Sequence, residues 1–315
     1  MEAAPADTRR AAPGAIGLGA ARRRLGEWAI HALLFVAALI SVLTTVGIVV
    51  SLLQETVVFF RDVGVWEFLS GREWAPLFSD PEYGVLPLVN GTLLITGIAL
   101  LVAIPLGLGA AVYLSEYARP RVRKTLKPIL ELLAGIPTIV FGYFALTFFT
   151  PVVLRDLLGM EVQIFNALSA GVIMGFMVLP TIASVAEDAM SAVPAGLREG
   201  AVGLGASKLQ VSTRVVFPAA LSGIVAAVVL GVSRAIGETM IVLVAAGQVP
   251  KLGIDARESY ETMTTFIAAT GKGDVPTGST GYKTIFAVGA ALFVLTLMMN
   301  AISIRFVRRY RQVYE

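Results

Sequence analysis

Long apolar runs alternate with short polar connections along most of the 315-residue chain. A helix needs roughly 20 apolar residues to cross a bilayer. Six stretches meet that length: Trp28–Leu53, Leu88–Leu114, Leu132–Leu154, Asn166–Ala186, Ala219–Gly247 and Thr284–Ile304. The pattern predicts an all-α membrane protein with six transmembrane helices. The first run is far longer than the 7–15 apolar residues of a secretory signal, and no small-residue cleavage motif follows it, so it is read as a retained helix. The predicted organisation has five parts. Residues 1–25 form a disordered basic tail, 26–54 the first membrane helix, and 55–87 an extracytoplasmic segment. Residues 88–306 form a five-helix core with a connecting loop at 187–218, against which the first helix packs from outside, and 307–315 form a second tail.

Composition supports the membrane class. Hydrophobic residues make up 56% of the chain and charged ones 15%, against about 25% charged in a typical soluble domain, and the mean hydropathy is +0.79. The basic pI does not point to nucleic acid, because the charges flank apolar runs. Their distribution sets an orientation. Seventeen Lys and Arg fall on one side, in the N-terminal tail, the second-to-third and fourth-to-fifth connections and the C-terminal tail, against seven on the other side. Positive charge stays inside, so both termini are expected in the cytosol. Cysteine is absent, which excludes disulfides and Cys-ligated zinc. The single His31 is read as an interfacial or packing imidazole.

The outer segment 55–87 contains Trp66, Phe68, Trp74, Pro76, Leu77 and Phe78. It is too apolar for a free linker and is expected either to pack on the protein or to meet an external partner. Pro105 and Pro137 are expected to kink their helices, and Gly107, Gly109, Ala110 and Ala111 to permit tight helix packing.

Arg234 is the only Lys or Arg inside any of the six runs. Placing it at mid-membrane costs about 2.5–3.5 kcal/mol on insertion scales, so it needs a partner or a cavity. Glu238 lies four residues on, hence on the same face of an unbroken helix, with Gly231 and Gly237 nearby for close helix approach. Two readings follow: a structural ion pair inside the bundle, or two groups beside a water-filled route for a charged solute. Intramembrane ionisable groups favour the second. A guanidinium suits oxyanions. A carboxylate beside it can accept a hydrogen bond from an anion that still carries a proton, as hydrogen phosphate does and sulfate does not. Glu131, near the predicted cytosolic start of the third run, is a weaker candidate for the route.

The fourth-to-fifth connection reads Glu199-Gly200-Ala201-Val202-Gly203-Leu204-Gly205, then Val215-Val216-Phe217-Pro218. Pro194 can open a short helix over Ala195–Leu204, Gly205 can supply a left-handed exit, and a second helix can run on to Pro218. This connection resembles the cytoplasmic loop of ABC importer permeases: Glu-Ala-Ala, three residues, Gly, nine residues, Ile, any residue, Leu-Pro. The spacing matches, with Gly200, Val215 and Phe217 as substitutions. Arg234-Ala235-Ile236-Gly237-Glu238-Thr239, Leu130–Thr138, Gly142–Leu146 and Glu73–Phe78 are similar to segments of the phosphate importer permeases, and the last of these to their C-type.

The resemblance implies a type I ABC importer permease fold with a cytoplasmic coupling helix. It implies that Glu199, Gly200, Ala201 and Gly205 meet an ATPase, and that Arg234 and Glu238 pass phosphate. The implied partners are a homologous second permease subunit, an ATPase dimer that binds ATP and Mg, an extracytoplasmic phosphate-binding protein and the lipid bilayer, with no nucleic acid. The implied location is the bacterial inner membrane. The chain is expected to have no catalytic role, cofactor or metal of its own. Its closest approach to a nucleotide loop, Gly271-Lys272, follows Phe266 where a glycine is needed and lacks the hydroxyl residue. Other readings are the paralogous A-type subunit, a permease for molybdate or sulfate, a passive anion channel and a membrane enzyme. A channel has no use for an ATPase dock, and no His, Asp or Glu cluster suits an enzyme.

Overall fold

The computed structural model describes residues 20–273 and 275–310. Residues 1–19 and 311–315 of the two expected tails lie outside the described residues. The chain divides into two compact units, Met1–Ser51 and Leu52–Glu315.

Helix α1 runs over Ala20–Asp62, so Ala20–Leu25, expected in the tail, are helical. Up to Ser51 it carries exposed apolar side chains such as Leu33, Phe35 and Ile48, the surface a bilayer would cover. At 1.5 Å per residue its 43 residues rise about 64 Å, twice the hydrocarbon thickness.

The second unit opens with the end of α1 and a folded outer segment. α2 (Val65–Ser70) leads to a two-stranded hairpin, β1 (Trp74–Ala75) paired antiparallel with β2 (Glu82–Tyr83). Part of this segment packs on the protein and part stays exposed. Phe59, Phe60, Phe68, Trp74 and Tyr83 form a chain of edge-to-face aromatic contacts that reaches Phe266. Trp66 and Phe78 remain 79% and 75% exposed.

The membrane core follows. α3 covers Leu86–Val112 and ends in a π-helical turn at Tyr113–Tyr117. α4 covers Pro120–Ala134. α5 covers Thr138–Phe144 and continues in π geometry to Leu157. α6 covers Ala167–Ser191, its first turn capped by Asn166 accepting the Ser169 N–H at 2.7 Å. α7 (Ala195–Gly203), α8 (Lys208–Val211), a π turn at Ser212–Val216 and α9 (Phe217–Ala219) form the connection. α10 (Leu221–Ile236), α11 (Met240–Ala245), α12 (Met263–Lys272) and α13 (Thr280–Tyr310) complete the chain. Among the described residues, five helices are long and apolar enough to cross a membrane, and a bent pair, Lys208–Ala219 with Leu221–Ile236 at 72°, makes a sixth if the pair is one span.

Three expectations change. The third span begins at Thr138, not Leu132: Gly135 and Pro137 interrupt the run, and the amphipathic α4 ahead of it buries none of its side chains. Pro137 therefore breaks rather than kinks. The fifth run, Ala219–Gly247, is not one helix but α10 and α11 with a break at Gly237–Thr239. Of the small residues on α3, Gly107 and Ala111 face a neighbour, whereas a Cβ on Gly109 would meet open space.

α3 and α6 form the centre. Their backbones approach through Gly171 and Gly175, a Gly-x-x-x-Gly pair of the kind that replaces the absent hydrophobic drive in lipid with close packing. A Cβ at Gly171 would lie 2.7 Å from Ile98, and one at Gly175 would lie 2.8 Å from the Ala99 carbonyl.

Candidate functional site

The break in the fifth run creates the site. α10 ends at Ile236 with Gly237 as its cap, and α11 starts at Met240. The end of one helix and the start of the next are thus separated only by Gly237, Glu238 and Thr239. A helix C-terminus favours a cation and an N-terminus an anion, and the sequence supplies Arg234 in the last turn of α10 and Glu238 ahead of α11. Glu238 Oε1 accepts the backbone N–H of Met240 at 3.0 Å and of Ile241 at 3.2 Å, satisfying donors that a helix start leaves unpaired. The Glu238 carbonyl accepts Thr264 Oγ1 at 2.9 Å, so α12 holds the break from the other side.

Glu238 is therefore not on the helical face of Arg234, and the two do not form the bundle ion pair weighed above. Arg234 instead donates to Thr181 Oγ1 on α6 at 2.7 Å. The guanidinium is half-buried beside the exposed Gly237, while Glu238 is 9% exposed. One hydroxyl leaves most of the five guanidinium N–H donors without a protein partner among the described residues. The arrangement is a cation with spare donors at one side of the break and an anchored carboxylate within it, and such a guanidinium can hold a transient oxyanion. Discontinuous membrane helices that offer their ends to a solute are a recurrent design in transporters. Gly231 does allow close approach, since a Cβ there would lie 2.7 Å from Ile182, but Gly237 serves the break instead.

The first helix of the connection and its exit form as expected, whereas the single second helix expected up to Pro218 is instead α8, a π turn and α9. α7 is followed by Leu204 and then Gly205 at φ +85°. Gly205 N–H bonds to the Val202 carbonyl at 2.9 Å and Ala206 N–H to the Ala201 carbonyl at 3.0 Å, the paired bonds of a Schellman exit. Ser207 and Gln210 form a capping box that starts α8. Glu199 and Gly200 are exposed, Ala201 is half-buried, and Val202, Leu204 and Leu209 expose 59%, 92% and 63% of their surfaces. These apolar side chains and the acidic Glu199 are exposed on the same connection.

Sequence reasoning missed several polar residues. Thr181 and Thr264 carry no signal, since single threonines in apolar helices usually bond their own backbone. Glu187 lies at the edge of its run. Its side chain is fully buried on α6 and is paired with Arg123 and, at 2.8 Å, with Lys127, both on α4, while Ser191 Oγ donates to it at 2.8 Å. This cluster clamps α4 to α6. Glu131, on α4 and exposed, stands apart from the break. Removing one partner of a buried pair strands the others. Glu187→Ala is expected to cost about 3 kcal/mol, the low end of that range, because Arg123 and Lys127 keep water contact; thermal unfolding in detergent measures it.

Glu261 was also missed. It precedes α12, outside the long apolar helices, and is 7% exposed. It lines a cavity of about 330 Å³ with Trp74, Gln248 and Phe266. Burial pushes its carboxyl up to about 7. A folded value above the unfolded one favours the protonated form, so the associated stability is complete below about 4.5 and lost as pH rises through about 7. Glu261→Gln is expected to match the parent near pH 4.5 and to melt higher at pH 8. Equal melting shifts across that range would refute it.

The chain is an α-helical membrane permease with an exposed helix–turn–helix. Residues 103–312 match the model of the binding-protein-dependent transport system inner membrane component. The chain is 36% identical over 283 residues to the probable ABC transporter permease protein YqgH of Bacillus subtilis, covering 90% of this chain and 89% of that one. It is 39% identical over 249 residues to the phosphate transport system permease protein PstC 1 of Mycobacterium tuberculosis, covering 72% and 73%. A bacterial alginate ABC transporter, solved with an alginate-bound periplasmic protein, shares the fold at TM-score 0.65 and 19% identity, covering 91% of this chain and 96% of that one. The chain belongs to the binding-protein-dependent inner membrane components, within the PstC family of permeases. In this family the ATPase is a separate subunit.

Proposed function

We propose that the chain is the phosphate-translocating permease subunit of an ATP-driven importer. It works by alternating access beside a homologous second permease subunit, with both termini in the cytosol. An ATPase dimer, which binds ATP and Mg, docks on Glu199, Gly200, Ala201 and Gly205. An extracytoplasmic phosphate-binding protein delivers the solute from the opposite face.

The observation that carries this reading is the half-buried Arg234 with spare donors at a broken membrane helix. The phosphate names of the PstC relatives support the choice of cargo. Glu238, anchored by two backbone N–H groups, keeps a second oxygen to accept the proton of hydrogen phosphate.

Radiolabelled phosphate uptake by the reconstituted complex, with and without ATP, tests the proposal. Uptake that needs ATP and resists competing sulfate and molybdate supports it. Flux through the chain alone without ATP would make it a channel, and competition by molybdate or sulfate would make it another oxyanion's permease.

A further inference from the structure

A dock on α7 moves nothing unless it is fastened to helices that line the route. By chain connection α7 reaches α6 and, through α8 and α9, α10. The geometry points to a third link: we propose that Arg198 and Glu116 form a tie that carries motion of the docking helix into α3, making Arg198 a positioning residue for transport. This inference rests on the reading of α7 as the ATPase dock.

Arg198 lies on α7, and its guanidinium serves two ends at once. It donates to the Met190 carbonyl at 2.7 Å, which the Val193 N–H also reaches at 3.2 Å, and to the Val193 carbonyl just past the end of α6. It also donates to Glu116 Oε1 at 3.1 Å, on an element 82 residues away in sequence. The Glu116 side chain is 7% exposed, and Ser115 Oγ donates to the same oxygen at 2.9 Å. A planar five-donor fork can serve three acceptors at once, which an ammonium on a flexible stem cannot hold in one geometry.

Glu116 sits in the π turn that ends α3, where Ala118 N–H bonds to the Tyr113 carbonyl at 2.8 Å across five residues. Such turns are frequent at functional sites. A second contact reaches the same turn: Lys208 Nζ, at the start of α8, lies 5.0 Å from the centre of the Tyr117 ring. Both arms of the helix–turn–helix therefore grip the same five residues of α3. Because α3 packs along α6, and α6 holds Arg234 through Thr181, a shift of α7 acts on α3 and α6 together.

The test uses the assembled transporter with both permeases, ATPase dimer and binding protein in proteoliposomes. Phosphate uptake and ATP hydrolysis are read in the same vesicles. Glu116→Gln preserves shape and removes the charge. It is expected to leave assembly and hydrolysis intact and to lower uptake per ATP about tenfold, within the usual range of inter-site coupling. Arg198→Lys should lose part of the ratio, and the exchange E116R with R198E should recover part of what either single change loses. An unchanged ratio in Glu116→Gln overturns the tie. So does failure of that variant to assemble, which would make Glu116 structural only. If Leu204→Asp also assembles and stays coupled, the docking reading has failed; if Leu204→Asp uncouples while Glu116→Gln does not, the tie alone has failed.

Discussion

Arg234→Ala is expected to reduce phosphate uptake at least a hundredfold while the complex still assembles. Replacement removes the formal positive charge in the last turn of α10 and the fork that offers paired donors to an oxyanion. Hydrogen bonds to charged groups contribute about 1.5–3 kcal/mol each, so losing two of them accounts for a factor of that size. Assembly should survive because the side chain makes one bond to the protein among the described residues, to Thr181, and is half-buried rather than packed. Arg234→Lys is expected to fall between, since it keeps the charge but loses the planar geometry. Initial rates of labelled uptake, with co-purification of the partner subunits as the control, decide the matter. Wild-type uptake by an assembled Arg234→Ala complex would remove Arg234 from the route and leave the cargo resting on family membership.

The physics that makes Arg234 legible in a sequence is its cost. A lone guanidinium in a run of 29 mostly apolar residues stands out because hydrocarbon tolerates it only beside a partner or water. The geometry around it was not legible. Ala219–Gly247 reads as a continuous apolar run, and Glu238 four residues after Arg234 reads as its helical neighbour. What decides otherwise is a local contest joined by a distant residue. The Glu238 carboxylate caps the N–H groups of Met240 and Ile241, and Thr264, 26 residues later, holds the Glu238 carbonyl. Hydropathy averages over such a contest. The same averaging joined α4 to α5, although Gly135-Ile136-Pro137 gave a local warning that apolar length overrode. Glu187 escaped notice for a related reason. Its partners Arg123 and Lys127 were read as positive-inside charges, which says where they lie relative to the membrane but not which side chain they hold.

By contrast, the first helix of the connecting loop and its exit were legible, because their determinants are local. Pro194 and Gly205 act within a few residues of themselves; the Ser207–Gln210 box, not singled out from the sequence, is just as local. That locality makes Gly205→Val the most informative change in the loop. At φ +85° a side chain costs roughly 1–2 kcal/mol, and a β-branched one sits there worst. A Cβ at this position would meet nothing within 4 Å in the chain itself. Any effect beyond backbone strain must therefore come from whatever covers the loop. Gly205→Asn separates the two, since Asn tolerates the left-handed conformation while still adding bulk. If an ATPase docks here closely, both substitutions lower uptake per ATP hydrolysed, Val by at least tenfold and Asn by less. If only the exit matters, Val uncouples and Asn does not. Coupling unchanged in Gly205→Val, with the ATPase still co-purifying, would mean that force enters the membrane helices by another path and that the exposed Val202, Leu204 and Leu209 answer to a different partner.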